Sequence, residues 1–351
     1  MKTSSFQSWA GNMNEPLLSV KDLSIAYQVP GLDVVAVSRA FFDVPKGAIV
    51  GLVGESGCGK TTMARAFTRI IADNAKITEG SMLFDGQDLA KLSEKAMNDL
   101  RWRDIAFVPQ SAMNSLDPVY RVEYQLNEVL RGRGGLSRAQ ARKRAVELFE
   151  LVGIEANRLR DFPHQFSGGM RQRVAIALAL ALNPKLIVAD EPVTALDVIV
   201  QRQILDQMRD LQRDLGISII IVTHDISVVA YICDRTVVMY AGEVVEDCDT
   251  KTLLSAPLHP YTMGLKNAFP DIASAGSGML TPISGAPPDL ARPPSGCRFA
   301  ARCPFATDHC RAVSPTPRQF AAGHSVACHR AEEAVVLRGK AENPATWGEM
   351  A

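Results

Sequence analysis

Three features of this sequence point to an α/β fold built on a parallel sheet. Continuous apolar runs at 47–54, 185–190 and 218–224 suit strands buried on both faces. Long stretches of helical periodicity separate these runs, which is the alternation of a parallel sheet. The first run ends in GESGCGKT, a full match to G-x-x-x-x-G-K-[ST] set between a predicted strand and a predicted helix.

In chain order, residues 1–16 are polar and irregular and are expected to form a flexible arm. LLSVKDLSIAY (17–27) alternates with period two and reads as a strand. GAIVGLVG (47–54) is the strand that leads into the glycine-rich loop. Helix-period segments dominate 94–150, and RAQARKRAVELFELVG (138–153) is an amphipathic helix closed by Gly153. KLIVAD (185–190) and SIIIVTH (218–224) are two further buried strands. Near residue 257 the composition shifts. ASAGSG (273–278) and APPDLARPPSG (286–296) are rich in Gly, Pro and Ser and predict a loop-rich appendage. Residues 331–351 read as a flexible tail. No internal repeat is evident.

Composition narrows the class. A chain of 351 residues with 47% hydrophobic content can bury a sizeable core, as two domains or one with extensions. The 38 basic and 38 acidic residues balance, which gives no support to a polyanion-binding surface, so no nucleic-acid partner is expected. The N-terminus lacks an apolar signal-peptide core, and the longest apolar runs, such as 174–182, fall well short of the roughly 20 residues of a spanning helix. A soluble, cytosolic protein is expected, and its seven cysteines are expected to stay reduced.

Three motifs carry chemistry. In GESGCGKTT, residues Gly54, Glu55, Ser56, Gly57, Cys58, Gly59, Lys60, Thr61 and Thr62 form a phosphate site at a helix N-terminus. Lys60 is expected on the β- and γ-phosphates and Thr61 on Mg²⁺. Cys58 occupies a variable position and reads as a small filler. LIVADEP ends a strand in two acids: Asp190 is placed to hold Mg²⁺ through water, and Glu191 to deprotonate an attacking water. In QFSGGMRQRVAIALALAL, Ser167 is a good N-cap, and Gly168 and Gly169 open a second anion-binding helix start.

Taken together, these motifs resemble the nucleotide-binding subunits of ABC transporters, over about residues 17–258. FSGGMRQR is similar to the family signature, and ADEPVTALD to its Walker B segment and D-loop. Gln110 in FVPQ matches the Q-loop glutamine, His224 in VTHD the switch histidine, and Tyr27 the aromatic that stacks on adenine. Met170 replaces the commoner Gln after SGG, and Val193 stands where Ser or Thr is usual. Neither departure touches a reacting group. The resemblance implies a P-loop NTPase (RecA-like) ABC cassette at 17–258, with a helical subdomain at about 93–165 and a small cysteine-containing extension at 259–330. It implies an ATPase using ATP and Mg²⁺, with Glu191, His224 and Lys60 catalytic. Two cassettes would pair head to tail, so that Ser167, Gly168, Gly169 and Asp197 reach the partner's ATP.

Other ATPases of this superfamily fit less well. A fused translation factor needs two phosphate loops, and one is present. DNA-repair relatives insert long modules between loop and signature, whereas 107 positions separate Lys60 from Ser167 here. PHQFSGGMRQRVAIALAL, TALDVIVQRQIL, LHPYTMGL (258–265) and SGAPPDLARPPSGCRFAARCP (284–304) resemble the oligopeptide, dipeptide and nickel importer branch. That implies an importer ATPase on the cytoplasmic side of the membrane, with two transmembrane permease subunits, a second ATPase (identical or paralogous) and an extracytoplasmic substrate-binding protein. Peptide is the expected cargo, with oligosaccharide or nickel as alternatives. Gln110 and residues 111–118 are the expected permease contact.

Cys297, Cys303, Cys310 and Cys328 crowd into this extension with spacing C-x₅-C-x₆-C-x₁₇-C. Soft thiolates suit an iron–sulfur cluster or zinc. The segment lacks the C-x₂₋₄-C knuckle of structural zinc sites. Its wide intervals and the Cys303–Pro304 step favour [4Fe–4S], with which the peptide-importer branch is associated. Zinc, with His309, His324 or His329 as a fourth ligand, and metal-free reduced thiols stay open. Cys233 and Cys248 read as packing residues.

Overall fold

The computed structural model describes residues 15–110, 115–268 and 282–348. The parts of the expected arm before residue 15, of the expected permease contact at 111–114, and of the appendage at 273–278 lie outside the described residues.

The chain opens with a hairpin of β1 (Leu18–Val29) and β2 (Leu32–Val44), then β3 (Ile49–Val53), α1 (Lys60–Ala66), β4 (Ala75–Phe84), β5 (Gln87–Asp88), α2 (Glu94–Leu100) and β6 (Ile105–Val108). A helical stretch follows: α3 (Val122–Asn127), which runs into a π-helical turn at Glu128–Arg133, then α4 (Arg138–Leu151) and α5 (Gly168–Ala179). Ser137 and Gln140 make a reciprocal capping box at the start of α4, satisfying two otherwise orphaned N–H groups. The chain returns to the sheet through β7 (Leu186–Asp190), α6 (Val198–Leu215), β8 (Ser218–Thr223), α7 (Ile226–Ile232), β9 (Arg235–Tyr240) and β10 (Glu243–Asp249). The C-terminal part adds α8 (Thr250–Ser255), α9 (Pro260–Asn267), α10 (Asp308–Ala312), β11 (Arg318–Ala321), β12 (His324–Val326) and α11 (Ala334–Ala341).

Two sheets result. One is antiparallel, in the order β2-β1-β4-β5; the other runs β11-β12-β10-β9-β3-β8-β7-β6. Strands β9, β3, β8, β7 and β6 are parallel, and β10, β12 and β11 extend that edge antiparallel. Every residue of β3, β7 and β8 is buried, the outcome expected of continuous apolar strands covered on both faces.

Alternate residues of these strands feed two separate cores. Val50, Leu52, Val188, Ile220 and Val222 face α1 and the antiparallel sheet. Ile49, Val53, Ile187, Ala189, Ile219 and Ile221 face the helices and the C-terminal extension. The period-two geometry of a strand enforces this division.

The structure departs from the sequence reading in four respects. Of the antiparallel sheet only β1 is read from the sequence, and the antiparallel edge is not read at all. The stretch expected to be helical from about 93 contains β6, a four-residue strand inserted beside β7. The appendage is not merely loops: β12 pairs with β10 and so joins the main sheet. Residues 331–347, expected as a flexible tail, form α11 and a final helical turn. Ala331, Ala334, Leu337, Ala341 and Trp347 there are buried in the same core as the helices. Trp347 donates its indole N–H to Ala341 O at 2.8 Å and meets Phe305 edge-on. Cys233 and Cys248 are buried, as expected of packing residues.

Trp347→Ala should therefore destabilise the full chain by about 3 kcal/mol in urea unfolding, the cost of emptying a buried aromatic site. A loss below about 0.5 kcal/mol, typical of exposed positions, would refute this packing.

Candidate active site

The register of the parallel strands assembles the site. Val53 of β3 lies opposite Thr223 of β8, Val222 of β8 opposite Asp190 of β7, and Ala189 of β7 opposite Val108 of β6. The residues just beyond this row are Gly54, His224, Glu191 and then Pro109 and Gln110. The carboxyl ends of adjacent parallel strands, where an α/β sheet binds ligands, thus carry all four motifs in one line.

The phosphate loop is fixed by close contacts. Gly59 has φ 98°, and a Cβ there would lie 2.2 Å from Ala36 O; one on Gly54 would lie 2.1 Å from Met239 O. Both positions therefore require glycine. Lys60 is buried, and its ammonium donates to Gly54 O at 2.7 Å and Glu55 O at 2.8 Å, with Cys58 Sγ 3.7 Å away. Cys58 is otherwise buried filler. Gly242 donates its N–H to Cys58 O at 3.0 Å, so the turn between β9 and β10 holds the far side of the loop. Tyr27 shares a 2.9 Å hydrogen bond with Thr62 Oγ1, which places the aromatic of β1 beside the start of α1.

Glu55, expected among the nucleotide contacts, has hydrogen-bond partners in the C-terminal part of the chain. Its N–H donates to the Tyr261 hydroxyl at 2.9 Å, and its carboxylate accepts from Arg302 Nη1 at 2.8 Å. Neither partner was legible as a loop contact in the sequence.

The two strand-end acids differ in environment. Asp190 is fully buried; Thr61 donates to its Oδ1 at 3.2 Å, while Oδ2 has no hydrogen-bond partner. Burial raises its pKa above the ordinary 3.8, against the Thr61 bond. A buried, half-satisfied carboxylate next to a threonine hydroxyl fits a Mg²⁺ site, since a cation supplies the missing partner. Glu191 adopts φ 49°, the left-handed region, and its N–H donates to Val222 O at 2.8 Å. Three side chains converge on its carboxylate: Gln110 Nε2 at 2.8 Å, Thr194 Oγ1 at 3.0 Å and His224 Nδ1 at 3.0 Å. Burial pushes its pKa up, yet the hydrogen bonds from His224, Thr194 and Gln110 outweigh burial and hold it below 4.5. Glu191 is thus ionised at neutral pH and connected to both neighbouring strand ends. Thr194 was missed as a partner, although it stands three residues beyond Glu191 in the same motif.

The other predicted residues stand apart from this group. Ser167 is exposed and caps α5, accepting from Met170 N at 3.3 Å. Gly168 is the first residue of that helix, and Gly169 is pressed so close to Val200 that a Cβ would meet its Cγ1 at 2.5 Å. Asp197 caps α6, accepting from Val200 N at 2.9 Å. Next to it Val198 and Ile199 are 79% and 72% exposed, an unusual placement for branched apolar side chains.

Cys297, Cys303, Cys310 and Cys328 all line one small cavity, together with His259, Phe299 and His329, and none forms a disulfide. Cys297 N donates to Cys310 O at 2.8 Å, drawing two of the loops together. Burial pushes the thiols up, to about 11 at Cys297 and about 12 at Cys303 and Cys328. Without a cation these three are neutral. Among the described residues, the three-donor group with all ligand atoms within 4.8 Å of one another is Glu246, Cys248 and His324; no three of the extension cysteines meet that spacing. His324 itself is committed elsewhere. It donates to Glu246 at 2.8 Å, whose carboxylate also accepts from Leu258 N and His259 N.

Among the described residues no helix is long and apolar enough to cross a membrane. Comparison with known proteins agrees with the geometry. Residues 37–194 match the ABC transporter family, and residues 245–310 the oligopeptide/dipeptide transporter C-terminal region. The chain is 48% identical over 293 residues to the oligopeptide transport ATP-binding protein OppD of Bacillus subtilis, covering 83% of this chain and 82% of that protein. It is 43% identical over 336 residues to the dipeptide transport ATP-binding protein DppD of the same organism, covering 94% of this chain and all of that one. The ATP-binding cassette MJ0796, solved as a dimer in a post-hydrolysis state with ADP and Pi, superposes with a TM-score of 0.60 at 30% identity, over 66% of this chain and 98% of that chain. The chain belongs to the ABC transporter ATP-binding family, in the branch that carries the oligopeptide/dipeptide C-terminal region.

Proposed function

We propose that this chain is the ATP-hydrolysing subunit of a peptide importer, energising uptake through separate permease chains. The observation that carries the reading is the Glu191 carboxylate. It is ionised, lies one residue beyond the orphaned Asp190 oxygen, and is linked to Gln110 and His224 on the flanking strands. Lys60 and the loop N–H groups take the phosphates, Thr61 and Asp190 hold Mg²⁺, and Glu191 orients and deprotonates water. Mg²⁺, when bound, neutralises phosphate charge. The three donors on Glu191 must give up part of their hold before it can accept a proton from water. Coupling through Gln110 and His224 is therefore built into the base itself.

A second cassette would complete the site. Ser167, Gly168 and Gly169 offer a capped helix start to the partner's nucleotide, and Asp197 lies on the seam, flanked by the exposed Val198 and Ile199. A buried interface would remove those two apolar side chains from water. The permeases have a candidate seat. A cleft lined by Ile70, Trp102, Phe107, Pro109 and Leu178 lies next to Gln110, and Val119, Tyr120 and Tyr124 are exposed beyond it. This arrangement supports a peripheral position at the cytoplasmic face of a membrane, with a substrate-binding protein on the far side. Cargo identity rests on the relatives, which are named for oligopeptides and dipeptides.

The four extension cysteines would hold a [4Fe–4S] cluster. The shared cavity, the absence of a disulfide among the described residues and the soft thiolate donor set support this reading. The cluster would supply cross-linking of a Pro-rich segment rather than redox chemistry.

Glu191→Gln should slow ATP hydrolysis about 10²–10⁴-fold while leaving nucleotide affinity within about twofold of wild type. Full turnover in the purified transporter complex would remove Glu191 from the role of base. Anaerobically purified protein should be brown and contain about four iron atoms per chain, both lost in Cys303→Ser. A colourless chain with one zinc per molecule would overturn the cluster.

A further inference from the structure

The cysteine segment and the phosphate loop are joined by two arginines, each adjacent to a cysteine of the cavity. Arg302, beside Cys303, is buried, with a side chain only 7% exposed, and spends its guanidinium on four partners. Nη1 donates to Glu55 Oε2 at 2.8 Å and to the Tyr240 hydroxyl at 3.2 Å; Nε donates to Ser284 O at 3.0 Å and Nη2 to Ile283 O at 3.1 Å. Arg298, beside Cys297, donates to Ala241 O at 2.5 Å and pairs with Glu243 at 3.0 Å. The neighbouring Gly242 holds Cys58 O. One arginine therefore grips the loop near its start, and the other supports the turn that grips it near its end. Between them Tyr261 of α9 accepts the Glu55 N–H, while Tyr240, Tyr261 and Phe299 pack as an aromatic cluster that fills the space.

We propose that the C-terminal extension is a clamp on the phosphate loop, with Arg302 as the positioning residue, so that the state of the cysteine cavity sets how firmly the loop holds nucleotide. The first half rests on the ATP-site reading alone; the second rests also on the cysteines binding a metal group. Glu55 is the mechanical link. All three of its polar groups are engaged, its C=O by Lys60, its N–H by Tyr261 and its carboxylate by Arg302. Lys60 is the phosphate ligand, so a shift of Glu55 moves the carbonyl against which the ammonium is placed. A loop pre-organised in this way loses less conformational freedom on binding phosphate. The coupling is reciprocal: whatever tightens the loop also tightens the segment around Cys297 and Cys303.

The test is a double-mutant cycle on full-length protein, read as ADP affinity by calorimetry. Glu55→Gln removes the charge pair but keeps a side-chain oxygen to which Arg302 can donate, and should raise the ADP Kd about fivefold while the chain stays folded. Arg302→Met should raise it about tenfold, and Arg302→Lys less, because an ammonium can pair with Glu55 but cannot bridge four acceptors. Combining Glu55→Gln with Arg302→Met should add less than about twofold beyond Arg302→Met alone, the signature of one shared interaction. Additive effects, or an Arg302→Met Kd equal to wild type, would overturn the clamp. A wild-type chain that binds no ADP would overturn the ATP site, and the clamp with it.

In the second arm, iodoacetamide labelling of Cys297 and Cys303 is followed with and without saturating ADP, with metal content measured in parallel. Nucleotide should slow labelling about threefold or more in wild type and not in Arg302→Met. Equal rates in a metal-containing wild-type protein would overturn the coupling. A metal-free protein that still shows ADP protection would overturn the metal group and keep the clamp.

Discussion

Everything chemical in this molecule depends on the register of four parallel strands. Because β3, β8, β7 and β6 pair residue for residue, the positions that follow them fall in one row: a phosphate loop, a histidine, a glutamate and a glutamine. A slip of one residue between β7 and β8 would bury Glu191 and turn Asp190 toward the opposite core, since successive side chains point to opposite faces. The register is protected by burial on both sides. The apolar residues of β3, β7 and β8 cannot be exposed without emptying one of the two cores.

The two acids at the end of β7 show how neighbours in sequence acquire opposite roles. Asp190 is the last strand residue, wholly buried, with one carboxylate oxygen lacking a partner. Glu191 leaves the strand with a left-handed φ, a conformation that costs a non-glycine residue stability and is held by its backbone bond to Val222 and by three side chains. One acid keeps an oxygen without a hydrogen-bond partner, and the other is stabilised as an anion. Catalytic sites separate carboxylates by environment in this manner.

The C-terminal extension is usually the part of such a chain that a local reading sets aside, being short of apolar runs and rich in Pro and Gly. Here it shares a core with the helices through Phe299, Phe305, Leu337 and Trp347, adds strands to the main sheet, and sends Arg302 and Tyr261 to the phosphate loop. Its packing and the phosphate loop therefore share contacts, through Arg302 and Tyr261 on Glu55.

The sequence by itself determined the parallel sheet, the phosphate loop, the paired acids at 190 and 191, and the family, because each rests on a short pattern whose geometry is local: an apolar run, glycines where backbone must approach, acids at a strand end. It also singled out Gln110 and His224, and placed His224 at the end of a predicted strand. It could not show that both bind the same carboxylate, or that Thr194 joins them, because the meeting of residues 110, 191 and 224 is a product of strand order. Only the tertiary structure decided that residues 331–347 are core rather than tail, since their few apolar side chains become a buried face only against α9 and Phe305. The same holds for Glu55. Partners 206 and 247 positions away engage its N–H and its carboxylate, and no local pattern encodes a hydrogen bond across that distance.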